Sequence, residues 1–422
     1  MRPASKALKT LTILLTCIIL IVGAFAALLL SFTYANLPGP VVKKAFIIVP
    51  GLMGSNLTDP ELDNTLVWSA NPEALFEKEQ EESGFIEAYA SAMFDFDDDC
   101  NPTKSLNACH TGDHRFGFDN SLKPLADYLT EEYSQSGYEI VVWQYDWRKS
   151  ILETSSYLED YINIKGYTDV IFISQGTGGN VVTKYISKPE NRAKVNLFIP
   201  IAAPFLGTLG PLDWLINKDA AAGGYARTEF SEQMEALNLY GKLTDIPSVI
   251  QLLPYPAMWQ LSAYGEDNAP IFFNGNMVTF NEVYQYFTSL DFAKTKSESL
   301  KPVYRDLVEY QSKDYIKVGD KFRHVTDFVN TYYVVGTGIP TRYTANINTV
   351  GEKITSMGYD DLGDGFVWAY SATAGKSLRA ENVITVDIED IDYGGHIGLI
   401  STPEVIELIK PVIEKYAVVK EG

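Results

Sequence analysis

The sequence predicts an α/β fold, a mostly parallel sheet covered by helices on both faces and interrupted by two long insertions. Short apolar runs recur along the chain, among them Ala45-Phe46-Ile47-Ile48-Val49, Val170-Ile171-Phe172-Ile173 and Val195 to Ile201. Stretches with helical spacing of apolar residues lie between them and after the last one. A continuous apolar run marks a strand buried on both faces, which is what a parallel sheet between helix layers requires. The 422 residues allow two or three domains at about 150 residues each, and also suit one large decorated α/β domain. A hydrophobic fraction of 46% is ample for a large core and excludes wholesale disorder.

In chain order, residues 1–10 carry Arg2, Lys6 and Lys9, and Leu11 to Phe32 form one uncharged run. About 20 apolar residues span a bilayer as a helix, and basic residues stay on the cytosolic side. The expectation is a cytosolic tail at 1–10 and a transmembrane signal anchor at 11–32. A linker follows at 33–43 with Pro38 and Pro40, and residues 44–422 lie in the lumen or outside the cell. A cleaved signal peptide, giving a secreted or lysosomal protein, is the rival reading, but its apolar stretch is normally shorter. The first strand, Ala45 to Val49, ends in Pro50-Gly51. Residues 58–118 are polar, acidic and aromatic by turns and form an irregular excursion. Tyr138 to Trp143 is a strand, 152–164 a helix, Asp169 to Ile173 a strand, Asn180 to Ile186 a helix and Val195 to Ile201 a strand. Residues 205–330 break the alternation with Gly, Pro and many aromatics. Tyr332 to Val335 resumes the strands, Val383 to Val386 is the last, and a helix from Pro403 to Tyr416 closes the chain.

Charge and cysteine usage exclude several functions. Lys+Arg 34 against Asp+Glu 54 gives a net charge of -20, which repels phosphate backbones and argues against nucleic-acid binding. Three cysteines exclude a disulfide-rich scaffold and a zinc ribbon. No CxxC, HExxH or EF-hand loop occurs; the acidic run Asp95 to Asp99 lacks the glycine turn and closing glutamate of a calcium loop. Neither a metal nor a cofactor is expected. In an oxidising lumen Cys100 and Cys109 are close enough in sequence to form a local disulfide. Asn56-Leu57-Thr58 is the sole glycosylation sequon, but it abuts a turn assigned below to the active-site floor.

Strand, sharp turn and helix meet at Ser174-Gln175-Gly176-Thr177-Gly178-Gly179. A dinucleotide fingerprint would need a third glycine where Val181 stands and normally opens the first βαβ unit, so it does not fit. The nucleophile elbow of α/β-hydrolases fits, since its glycines let the helix approach the strand while the nucleophile sits strained at the apex. Further stretches accompany this turn: Val49 to Ser55, Tyr145-Asp146-Trp147-Arg148, Ala203 to Gly207, Pro247-Ser248 to Leu253-Pro254, Gly336 to Thr341, Gly363-Asp364-Gly365 and Gly395-His396. In this order, over residues 45–415, they resemble the lecithin:cholesterol acyltransferase family, which includes lysosomal phospholipase/transacylases and phospholipid:diacylglycerol acyltransferases.

The resemblance implies an α/β-hydrolase fold with a membrane-contacting excursion at 58–118 and a cap or lid at 205–330. It implies Asp364 as triad acid, His396 as triad base, and the backbone N–H groups of Leu52 and Thr177 as oxyanion hole. It also implies a serine nucleophile, and there the sequence departs. The family's elbow resembles Ser-His-Ser-Met-Gly-Gly; here Gln175 replaces the His and Gly176 the nucleophile. Phe366 replaces the Thr that usually follows Gly-Asp-Gly. An ester acyl-enzyme needs an oxygen or sulfur nucleophile. The expectation is therefore a lipid-handling protein that binds phospholipid or another glycerolipid without acyl-enzyme chemistry, a pseudoenzyme. An active acyltransferase or phospholipase using Ser174 or Thr177 stays open, as does a luminal binding or scaffold protein that kept only the fold. Trp68, Leu75, Phe76, Phe94 and Phe96 in the excursion either touch lipid or pack under a loop. Trp214, Trp259 and Tyr284 to Phe287 either line an acyl groove or fill the core.

Overall fold

The structure, a computed structural model, describes residues 42–68, 93–97, 100–109, 120–212, 246–264, 269–289, 310–350, 353–389 and 395–417, with Val22, Gly84, Trp214, Ile216, Leu243 and Leu307 besides. Residues 43–422 form one compact unit and residues 1–42 another. Among the described residues no helix is long and apolar enough to cross a membrane. The expected anchor at 11–32 lies outside them apart from Val22.

Six strands build the central sheet: β1 (Lys44–Val49), β2 (Tyr138–Val142), β3 (Asp169–Gln175), β4 (Val195–Ile201), β5 (Tyr333–Thr337) and β6 (Val383–Asp387). Their spatial order is β6-β5-β4-β3-β1-β2, and every pairing is parallel. The chain steps from β1 outward to β2, then returns to the other flank of β1 as β3. Such a reversal opens a crevice at the carboxyl ends of the strands, where ligands bind in open α/β sheets.

Four helices cover the sheet: α1 (Lys123–Tyr133), α2 (Ile151–Lys165), α3 (Thr177–Ile186) and α4 (Pro403–Tyr416). Alternate residues of β1 serve opposite layers. Ala45, Ile47 and Val49 pack with Leu158 and Ile162 of α2 and Val181 and Val182 of α3. Phe46 and Ile48 pack with Leu125 and Leu129 of α1 and Ile409 and Ile413 of α4. Ser150 caps α2 by accepting the Leu152 N–H, and Gly166 ends it in the left-handed conformation. Thr402 caps α4 by accepting the Val405 N–H, with Pro403 in its first turn. α1 falls in a stretch where no element is expected from the sequence.

The described parts of the insertions hold strands that the sequence does not predict. The excursion folds back as a small antiparallel sheet in which Leu57–Asp59 pairs with Thr65–Trp68 and with Asn107–Ala108. A hairpin, Thr341–Asn348 with Lys353–Asp360, stands between β5 and β6 and joins Ile271–Phe273 of the long insertion. Two buried ion pairs tie these parts to the core. Arg148 chelates Asp146 through Nε (2.9 Å) and Nη2 (2.7 Å) and donates to the carbonyls of Met93 and Lys104 in the excursion. Lys184 of α3 pairs with Asp314 at 2.5 Å and donates to the Tyr310 carbonyl.

His324 is buried beside that second pair, with rings of Phe205 (5.3 Å) and Tyr315 (5.4 Å) on its edges. Burial, reinforced by the charge of Lys184, pushes it from 6.5 down to about 3. The unfolded chain therefore takes up this proton before the native chain does as pH falls. The stability that a neutral His324 contributes is complete above about pH 6.5 and is lost toward pH 3, at up to about 1.4 kcal/mol per pH unit. Urea unfolding of the protein and of His324→Gln from pH 7.5 to 4 should show their difference in stability shrinking with that slope. A pH-independent difference would refute it.

Candidate active site

The elbow is built by close backbone approach. β3 runs to Gln175 and α3 starts at Thr177, so Gly176 alone makes the turn, at φ 48° and ψ −124°. A Cβ on Gly178 would lie 2.4 Å from the Val49 carbonyl oxygen, and one on Gly179 2.3 Å from the Cβ of Ala203. Neither position admits a side chain. Ser174 lies within β3, opposite Val49 and Pro200. It is fully buried, and its Oγ, which has no hydrogen-bond partner among the described residues, sits under α3 beside Gly179. Thr177 is the first residue of α3 and is buried.

Against this turn stands a dyad from two distant segments. His396, in the short helix Gly395–Gly398, holds Asp364 Oδ2 through Nδ1 at 2.8 Å. Asp364 Oδ1 accepts the N–H groups of Phe366 (3.0 Å) and Val367 (2.7 Å). A carboxylate only accepts, so Nδ1 carries a proton, and in the neutral imidazole Nε2 is the nitrogen with the lone pair. Nε2 lies 2.9 Å from where a Cβ on Gly176 would be. Gln175 Nε2 donates to the Ile397 carbonyl at 2.7 Å, fastening the histidine's turn to the elbow. On the other flank, Gly51 Cα is 4.0 Å from that same Cβ position. The Tyr145 hydroxyl holds this Pro50-Gly51-Leu52 turn by donating to the Pro50 carbonyl at 2.9 Å. As the first residue of α3, Thr177 has no helical acceptor for its N–H, whereas the Gly179 N–H is taken by the Gly176 carbonyl at 2.9 Å. The site thus offers an oriented imidazole base, a buried carboxylate behind it, and backbone donors flanking a glycine.

The lecithin:cholesterol acyltransferase family profile matches residues 122–344, more than half of the chain. The chain belongs to that family. The match includes Gly176 and stops short of Asp364 and His396, which the folded geometry brings to the elbow. Among solved structures the chain is similar to the crystal structure of the Tle4-Tli4 complex, with a TM-score of 0.50 and 11% identity over 89% of this chain and 99% of that one. It also matches the mature Bacillus licheniformis lipase BlEst2 at a TM-score of 0.32 and 13% identity, over 90% of this chain and 94% of that one. No curated protein matches.

Several of the aromatics for which lipid contact and internal packing were both open are buried. Trp68 is buried, donates its indole N–H to the Met53 carbonyl at 3.1 Å and packs edge-on against Trp147 at 5.2 Å. Phe94 packs on the same Trp147, and Phe96 is buried. They form the floor under the excursion, where the aromatic and its polar handle are both satisfied. Trp259 donates to the Val278 carbonyl and leans on Phe280, and Phe287 is buried in the core. Leu75 and Phe76 lie outside the described residues. Trp214 is buried too, but beside the site: its ring stacks on Phe366 at 5.9 Å, and Phe366 meets the His396 ring at 5.2 Å. Cys100 is buried and Cys109 half-buried, while Asn56 of the sequon is fully buried and leaves no room for a glycan.

Neither the Gln175 bond nor the Arg148 clamp is foreseen from the sequence. The only signal was that Gln175 departs from the family pattern beside Gly176, and that Tyr145 to Arg148 match it. Because Gly176 has a positive φ, Gly176→Ala should cost about 1–3 kcal/mol in chemical denaturation, whereas Gly178→Ala and Gly179→Ala should cost more, since backbone and Ala203 must move.

Proposed function

We propose that this chain binds a glycerolipid in an acyltransferase-type site from which acyl-enzyme chemistry has been lost. The carrying observation is Gly176 at the elbow apex, beside an assembled Asp364–His396 dyad. No ester can form on glycine. In a well-studied protease, removing the triad serine costs about 10⁶ in turnover. Binding and chemistry are separable, so the site keeps a use without the nucleophile. Gly176 marks the nucleophile's place, Asp364 and His396 those of acid and base, and the N–H groups of Leu52 and Thr177 those of the oxyanion hole. The buried Trp214–Phe366 stack backs the imidazole. An enzyme using Ser174 is disfavoured, because that hydroxyl lies under α3. The anchor at 11–32, a luminal location and a Cys100–Cys109 disulfide belong to the same proposal, supported by the basic residues before an uncharged run.

Fluorophosphonate labelling and acyl release from mixed phosphatidylcholine micelles test it. The unmodified protein should not label. Gly176→Ser should label at residue 176 and raise acyl release by ~10²-fold or more, once the imidazole withdraws to admit the side chain. Labelling of the unmodified protein at Ser174 or Thr177 would overturn the proposal.

A further inference from the structure

The dyad is oriented for work although the nucleophile it would serve is missing. Asp364 is buried with both oxygens engaged. That fixes the ring of His396 and its tautomer. On the opposite side, Nε2 is bonded by no described residue, and the side chain keeps 12% of its surface exposed. In a serine enzyme a hydroxyl hydrogen bond would help seat this ring. Here the Gln175–Ile397 bond seats the turn that carries it. The oxyanion donors are backbone groups of the elbow and of the turn after β1, and they do not depend on residue 176.

We propose that the His396–Asp364 dyad activates water directly, making the chain a slow carboxylic-ester hydrolase without a covalent intermediate. The inference rests on the reading that acyl-enzyme chemistry is lost. His396 Nε2 takes a proton from water as the water oxygen bonds to the acyl carbonyl carbon. The carbonyl electron pair moves to its oxygen, between the N–H groups of Leu52 and Thr177. The oxyanion then collapses, the bond from the acyl carbon to the alcohol oxygen breaks, and the imidazolium returns its proton to the departing alkoxide. Free carboxylic acid and alcohol result, and the imidazole is regenerated. Direct attack by the imidazole is less suited to alkyl esters. Alkoxide is a far poorer leaving group than imidazole, so that adduct reverts. Activated water has no such return path.

The test uses the full-length protein in detergent, with 4-nitrophenyl butyrate and phosphatidylcholine mixed micelles as substrates. The unmodified protein should release product above the buffer rate, without a pre-steady-state burst and without fluorophosphonate labelling. His396→Ala and Asp364→Asn should each lower the rate by about 10²-fold or more, or to the buffer rate if that is reached first. His396→Gln replaces His396→Ala if the latter does not fold, judged by its thermal melt. A rate equal in the unmodified protein and the folded His396 variant, including no release from either, overturns the hydrolase and leaves the loss of acyl-enzyme chemistry standing. A burst with labelling at Ser174 or Thr177 overturns both.

Discussion

The N-terminus of α3 lies so close to the end of β1 that no side chain fits between them. Gly178 meets the carbonyls of Val49 and Pro50, and Gly179 meets Ala203. This contact turns an ordinary strand–helix connection into an elbow. It forces the whole reversal onto residue 176 and starts the helix at the carboxyl end of β3, beside the point where the strand order reverses. It brings the turn after β1 to the same spot, so that backbone from two strands frames one point. Segments that arrive much later in the chain, around Asp364 and His396, need only dock against this frame.

The insertions are held to the frame by polar anchors in apolar surroundings. Arg148 is fully buried yet satisfied by a bidentate carboxylate and two carbonyls, the arrangement in which guanidinium burial is tolerated. Lys184 and Asp314 are strained in the opposite sense. Burial pushes the ammonium down to about 8 and the carboxyl up to about 6 even though each has the other as partner. Such a pair adds little net stability over apolar packing, and losing one partner is costly. Its effect here is geometric: it fixes where the chain returns from the long insertion onto the underside of the elbow helix. The elbow and the described end of the long insertion are therefore both tied to α3.

The fold was legible because its signals are strong and local. Strands buried on both faces write themselves as apolar runs, and β1 and β4 appear within a residue of their expected limits. The elbow helix was placed too late, at Asn180 instead of Thr177, because three glycines among four residues look like a turn; only tertiary contact with β1 makes them helical. The hairpin 341–360 was missed for a related reason. Its strands are half-exposed and depend on pairing with residues 271–273, far away in sequence. The aromatics of the excursion were ambiguous because hydrophobicity does not say which way a side chain faces. Trp68 and Phe94 were settled by Trp147, a contact that no spacing rule reveals. Of the site, Gly363-Asp364-Gly365 and Gly395-His396 could be singled out as motifs, whereas the Gln175–Ile397 bond spans the chain and has no local trace.

Under the proposed loss of the nucleophile, that bond bears on how the site holds together. A serine at an elbow performs two physical tasks. It supplies the attacking oxygen, and its hydroxyl hydrogen-bonds the imidazole. It also carries a strain, since a side chain at positive φ costs about 1–3 kcal/mol. Glycine at 176 removes the strain and both tasks together. Without the second task, the described hydrogen bond that still seats the His396 ring is the one to Asp364. Gln175, one residue earlier, supplies a second hold from the neighbouring position by gripping the backbone of the histidine's turn instead of its ring. The imidazole stays over the elbow while its outer nitrogen is left unengaged. Gln175 and Gly176 therefore act on one object. Gly176 offers His396 no hydroxyl, and Gln175 holds the turn that carries His396 beside the elbow.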